Sequence, residues 1–205
     1  MKDASGKKVD SNSHAELIGK LSQLLTRSKY FMATAESCTG GMIAAMCTDF
    51  AGSSDWFKGG IISYADEIKE TLLGVPGRAI AEHGAVSGEV VRHMALGALH
   101  VCSAQAAVAV SGVAGPGGGS KEKPVGTVWM AVAVREQPGY CQFDLDALTG
   151  AFPDCLRVSL AGFDTVVYAV RCHFDGDREA VRRQTAVSAL DRLAVLLESN
   201  IVDRK

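Results

Sequence analysis

The chain has 205 residues, of which 47% are hydrophobic and 21% charged, with 21 Lys and Arg against 23 Asp and Glu. A net charge of −2 excludes a broad nucleic-acid footprint, which needs a basic excess, while leaving room for a small anion pocket built from two or three cations. No apolar run reaches the roughly 18 residues of a membrane span, and residues 1–13 lack the apolar core of a signal peptide. The expectation is a soluble, cytoplasmic protein with one core and no membrane or nucleic-acid partner.

Residues 1–13 (MKDASGKKVDSNS) are polar and read as a disordered tail. From His14 to Ser28, Leu17, Ile18, Leu21, Leu24 and Leu25 recur at helical spacing. The run Phe31–Ala35 reads as a strand that breaks at Glu36-Ser-Cys-Thr-Gly-Gly41, and Met42–Phe50 reads as the following helix. Gly59–Tyr64 is a second strand and Asp66–Leu73 a helix. Ser87–Cys102 is an amphipathic helix with Ser87 as its cap. Ala106–Val110 is apolar on both faces, the pattern of a sheet covered on both sides. It runs into a glycine loop, Ser111–Ser120. Val125–Val134 and Thr165–Phe174 read as a pair of strands, and Asp177–Ser199 as a closing helix capped by Asp177 or Gly176.

Strands alternating with helices predict an α/β fold: a layered α/β/α single domain with a mostly parallel central sheet, carrying antiparallel strands near the C-terminal half. The domain is expected to fill residues 14–205. Residues 136–164 hold several Pro and Gly and little periodicity. A connection that long is functional, inserted or partly disordered.

The turn at Ser37 is the first candidate for chemistry. A hydroxyl between strand and helix sits on the sheet ridge where α/β proteins bind ligands. The amides opening the next helix are expected to be unpaired and ready for an anion or an oxyanion. Ser37 is then either a nucleophile or a cap, and Cys38 is a rival nucleophile or a packing residue. Gly40 and Gly41 let a ligand approach the backbone. A serine needs a base. None of the five histidines stands in a triad-like motif, although His83, in a turn, stays possible, and His93 and His100 share one helix side. Lys69, five residues after Tyr64, is the other choice if burial strips its proton, and a solvated helix residue otherwise. The Ser111–Ser120 loop lacks the ending of a P-loop and leads to a strand rather than a helix, so it is either a backbone cradle or a connection. Arg178 and Arg182 share a helix face near its N-terminus, where they await an anion or pair with Asp177 or Glu179. The six cysteines, at 38, 47, 102, 141, 155 and 172, have neither zinc nor disulfide spacing and read as apolar thiols in a reducing compartment. No metal and no cofactor is expected.

These pieces together resemble the CinA C-terminal domain family, the nicotinamide mononucleotide deamidases. The resemblance is carried by Thr34-Ala-Glu-Ser-Cys-Thr-Gly-Gly41, Ala51-Gly-Ser-Ser-Asp-Trp-Phe57 with Tyr64 and Lys69, and His83-Gly-Ala-Val-Ser87. Ser111-Gly-Val-Ala-Gly-Pro116 with Lys123-Pro-Val-Gly-Thr127, and Gly176-Asp-Arg-Glu-Ala-Val-Arg182, complete it. It implies hydrolysis of a nicotinamide carboxamide to nicotinic acid mononucleotide and ammonia, in pyridine nucleotide recycling, by a stand-alone form of the domain. It further implies Ser37, Tyr64 and Lys69 as catalytic residues. The Cys38, Thr39, Gly40 and Gly41 turn would hold the oxyanion, and Gly112, Gly115, Arg178 and Arg182 would bind the phosphate end of the nucleotide. The connection at 136–164 is longer than the family's usual one and reads as an insertion. A non-catalytic nucleotide sensor and an amidohydrolase with another amide substrate are the alternatives. Short strands with open edges suggest a homo-oligomer.

Overall fold

Apolar strands alternating with amphipathic segments give six strands and seven α-helices over residues 11–202, the part of the chain that the computed structural model describes. In chain order they are α1 (Ser11–Arg27), β1 (Met32–Glu36), α2 (Met42–Thr48), a 3-10 turn (Ser53–Asp55), β2 (Phe57–Ile62), α3 (Asp66–Leu73), α4 (Gly77–His83) and α5 (Gly88–Val101). Then follow β3 (Ala106–Gly112), β4 (Thr127–Arg135), α6 (Leu145–Leu148), β5 (Leu156–Leu160), β6 (Phe163–His173) and α7 (Arg178–Glu198).

The strands form one sheet in the order β2-β1-β3-β4-β6-β5. β1 pairs in parallel with β2 and β3, while the β3–β4, β4–β6 and β6–β5 pairs are antiparallel. The sheet is therefore mixed. "Mostly parallel" holds for strand directions, with β1, β2, β3 and β6 pointing one way, but antiparallel pairings outnumber parallel ones. The change falls where the sequence expectation put it, after the glycine loop, because β3 and β4 are joined directly with no crossover helix between them.

Helices cover both faces. On one side α1, α2 and α7 pack Leu21, Leu25, Ile43, Leu190 and Leu193 over Val108, Val110 and Val132. On the other, α3, α4 and α5 pack Leu73, Ala79, Val91, Met94 and Leu99 over Ala33, Ala35, Ala107 and Ala109. Small side chains on this second face let α5 lie close to the sheet. Gly97 extends the close approach to α3, since a Cβ there would overlap the Leu73 carbonyl oxygen.

The caps follow the sequence. The Ser87 hydroxyl accepts from the Val90 amide, and the Asp177 carboxylate accepts from the Ala180 amide at 2.8 Å. Residues 11–13, assigned to the tail by composition, open α1; the remainder of that tail lies outside the described residues. The 136–164 segment is structured: it carries α6 and adds β5 as the outer strand on β6. Phe143, Leu148 and Phe152 anchor it in the core, and Arg157 clamps Glu136 and the Phe143 carbonyl. Elements of four and five residues are too short to show a period, which is why composition alone read them as a connection. Among the described residues no helix is long and apolar enough to cross a membrane.

Gly97→Ala is expected to lower stability by about 1–3 kcal/mol, by forcing α3 and α5 apart; thermal unfolding of the variant measures it.

Candidate active site

β1 ends in a buried charge. Glu36 follows Met32-Ala-Thr-Ala, and its carboxylate is desolvated by β1, β3 and α2. It persists there because every lone pair is used. One oxygen accepts from the Thr39 hydroxyl at 2.7 Å, the Gly41 amide at 2.9 Å and the Ile43 amide at 3.0 Å; the other accepts from the Ala44 amide at 2.8 Å and the Thr34 hydroxyl at 3.1 Å. Hydrogen bonds to a carboxylate are about twice as strong as neutral ones. Glu36 thus ties the strand end, the Ser37–Gly41 turn and the start of α2 into one unit.

This overturns the expectation that the amides opening α2 stand free. The Gly41, Ile43 and Ala44 amides belong to Glu36, the Gly40 amide donates to the Ser37 carbonyl at 3.1 Å, and the Met42 amide donates to Thr39. Among the described residues the Cys38 and Thr39 amides donate to no main-chain carbonyl, and the Cys38 amide lies against its own thiol. Gly40 and Gly41 serve the backbone instead: both have positive φ, 59° and 95°, which a glycine adopts without strain.

Parallel register builds the rest. Glu36 pairs with Ile62 on β2 and with Val110 on β3. One residue on, the Ser63 amide donates to the Glu36 carbonyl at 2.8 Å and the Ser37 amide to the Val110 carbonyl at 3.1 Å. Ser63, Ser37 and Ser111 therefore form a row across three strand ends. They follow Ile61, Ala35 and Ala109 by two residues, all of which pack on the α5 side, so strand alternation aims the three hydroxyls to that side. All three are buried; Ser37 is 8% exposed, and its hydroxyl has no hydrogen bond among the described residues.

Lys69 reaches the same side. It lies one turn before Leu73, which is part of the α5-side core, and it is 1% exposed. The solvated alternative for Lys69 is thereby excluded. Its ammonium nitrogen donates to the Tyr64 carbonyl at 3.2 Å and to Asp66 Oδ1 at 3.0 Å. Lys69 thus has a counter-ion, which the sequence reading did not include. The Tyr64 side chain turns the other way. It is 63% exposed, and its phenol oxygen accepts from Arg178 at 3.4 Å. Lys69 meets Tyr64 through the main chain, not through the phenol.

α7 braces the turn from the opposite face. Arg182 donates to the Cys38 carbonyl at 3.1 Å and to the Thr39 carbonyl at 2.6 Å, lying over Gly40. Arg178 donates to the Gly115 carbonyl at 2.7 Å. Pairing of these arginines with their own helix is not seen: Asp177 caps α7, and Glu179 pairs with Arg183. Gly112 is packed against Val128 and the Thr127 carbonyl, with no room for a Cβ, and Gly115 presents its carbonyl to Arg178 rather than an amide to a ligand. The histidines stand apart from Ser37: His83 is beside Glu82, His93 pairs with Glu89 at 3.3 Å, and His173 is beside Asp175.

Burial pushes the Cys38 thiol up to about 12, with the nearby Glu36 charge adding to the rise and Arg182 and Arg178 opposing it. Cys47 is raised too, by burial first and then by Glu36 and Asp49.

The model of the CinA C-terminal domain matches residues 14–148. The chain belongs to this family. It is 43% identical over 175 residues to the nicotinamide-nucleotide amidohydrolase PncC of Enterobacter agglomerans, covering 85% of this chain and 90% of that protein. It is 42% identical over 178 residues to the protein of the same name from Escherichia coli strain K12, covering 87% and 91%. The competence/damage-inducible protein CihA of Agrobacterium tumefaciens shares its fold with a TM-score of 0.73 at 32% identity, over 93% of this chain and 99% of that one. As in those CinA proteins, one α/β unit accounts for the chain.

Within this CinA domain, sequence reasoning passed over Glu36, although its signal was visible. A charged residue closing an otherwise apolar, fully buried strand must be paired, and the donors available to it were the hydroxyls and amides of the next eight residues. Ser63 was read as part of a strand and given no role.

Glu36→Gln is expected to cost about 3 kcal/mol, because an amide nitrogen would face amide donors; urea unfolding measures it. The raised Cys38 thiol stabilises the fold in full below its ordinary value of 9.0, and that stability is lost as pH climbs towards 12. Thermal unfolding temperature should therefore fall above pH 9 more steeply in the native protein than in Cys38→Ala.

Proposed function

We propose that this protein hydrolyses the carboxamide of nicotinamide mononucleotide, giving nicotinic acid mononucleotide and ammonia, with Ser37 as nucleophile. The observation that carries the reading is the buried pair of Ser37 and Lys69 on one side of the strand ends, next to the amides of Cys38 and Thr39. The names of the relatives support the substrate.

Ser37 Oγ attacks the carboxamide carbon, and its proton passes to Lys69. Asp66, 3.0 Å from Nζ, then stabilises the ammonium that forms, as an acid partner stabilises a base in other nucleophile–base pairs. The Cys38 and Thr39 amides hold the oxyanion; each well-placed donor contributes about 3 kcal/mol. Arg182 supports this by fixing the Cys38 carbonyl, and with it the peptide plane that carries the Thr39 amide; the plane that carries the Cys38 amide is held by the Gly40 amide, which donates to the Ser37 carbonyl. Arg178, at the rim with exposed Tyr64, and the Gly112–Gly115 loop that it fastens meet the nucleotide's phosphate end. Lys69 protonates the leaving ammonia, and water hydrolyses the acyl-serine. No step calls on a metal. Cys38 is a poor nucleophile in this site because the thiolate is the reactive form, and burial keeps its thiol protonated at neutral pH.

Ammonia release from nicotinamide mononucleotide tests the reading. Ser37→Ala and Lys69→Ala should each reduce kcat by 10³-fold or more, and Cys38→Ala by less than tenfold. Nucleotide binding without ammonia release from the native protein would favour a sensor instead, and turnover of nicotinamide or simple amides in preference to the nucleotide would point to another amide substrate.

A further inference from the structure

Ser63 occupies a position that the mechanism above leaves unused. It is fully buried, at 0% exposure, and its hydroxyl has no hydrogen-bond partner. A buried hydroxyl left unpaired destabilises the fold, and such an orphan calls for a physical reason. Its location supplies one. Ser63 continues the row of strand ends beside Ser37, one strand spacing away, about 4.8 Å between backbones, and its amide is bonded to the Glu36 carbonyl. On its other side, the carbonyl of the next residue, Tyr64, receives the Lys69 ammonium at 3.2 Å. Ser63 is thus a neighbour of Ser37 through the β1–β2 ladder and of Lys69 through the Tyr64 carbonyl. The Tyr64 phenol, the group first considered for a relay, is turned to Arg178 at the surface.

We propose that Ser63 is a further catalytic residue, whose hydroxyl carries the proton between Ser37 and Lys69. This rests on Ser37 being the nucleophile. As the Ser37 Oγ–carbon bond forms, Ser63 Oγ takes the Ser37 proton and gives its own to Lys69 Nζ, while the carbonyl π pair moves to oxygen. When the intermediate collapses, the carbon–nitrogen bond breaks. Lys69 returns a proton through Ser63 to the departing nitrogen, and ammonia leaves. A water molecule then attacks the acyl-serine carbon, its proton moves through Ser63 to Lys69, and Ser37 recovers a proton by the reverse route as the carboxylate is released. The hydroxyl is both donor and acceptor, which the relay needs in both directions. Among the described residues it makes no hydrogen bond, to Ser37 and Lys69 included, so both relay contacts belong to the proposal.

Ser63→Ala and Ser63→Thr decide it, each measured by steady-state ammonia release and by the rate at which a fluorophosphonate labels Ser37. Ser63→Ala should lower kcat and the labelling rate 10²-fold, with KM within threefold of native. Its unfolding temperature should be unchanged or higher, since the variant removes an unsatisfied group; a residue of purely structural value would lower it. Ser63→Thr, which keeps the hydroxyl, should regain most of the kcat and labelling. Native labelling and kcat in Ser63→Ala overturn the proposal, and so does a native Ser37 that the probe does not label at all. If native protein releases no ammonia but labels Ser37 in a Ser63-dependent way, the relay stands and the substrate assignment fails.

Discussion

The site depends on one buried carboxylate. Glu36 spends both oxygens on donors from β1, the Ser37 turn and α2, and so fixes the backbone that carries Ser37. Without it, three amides at the start of α2 would need another acceptor in a place that water hardly enters. The arrangement resembles a ligand-bound helix start in which the chain supplies its own anion. It follows that an external anion finds its donors elsewhere, on the two amides between Ser37 and Gly40 and on side chains at the rim. The same bonds that stabilise the turn thereby restrict where charge can develop during a reaction.

Lys69 shows the complementary constraint. A lysine inside a small domain needs a partner for its charge, and Asp66 supplies one from the first turn of the same helix. The carboxylate end of that pair is half exposed, so water and the rim's electrostatics reach the amine only through it. Position comes from α3, which is held against α5 where Gly97 removes a side chain. Glu36 sets Ser37, Asp66 and α3 set Lys69, and the β1–β2 ladder joins the two segments through the Ser63 amide.

Much of this was legible in the sequence. The order of strands and helices, the Ser87 and Asp177 caps and the strand-turn-helix around Ser37 followed from period and turn chemistry. The resemblance carried by the Thr34–Gly41 and Tyr64–Lys69 segments pointed to the strand ends as the candidate site. What stayed hidden was pairing. Whether Lys69 is solvated or buried, whether Arg182 meets a ligand or two carbonyls, and whether the Gly41 amide is open or taken depend on residues 3 to 144 positions away, and periodicity has no access to such distances. The β5 strand was missed for a local reason: five residues beside Pro153 and Gly162 do not establish an alternation. The mixed sheet was anticipated in outline but overstated as parallel, since direction can be inferred from a crossover helix and pairing cannot.

The brace from Arg182 to Cys38 and Thr39 spans 144 and 143 residues of the sequence. During synthesis the first strand and its serine leave the ribosome early, while the arginine that clamps their turn emerges close to the end. The Ser37 turn gains this brace only once α7 has docked against it, so its final shape waits on the packing of a helix made long after it.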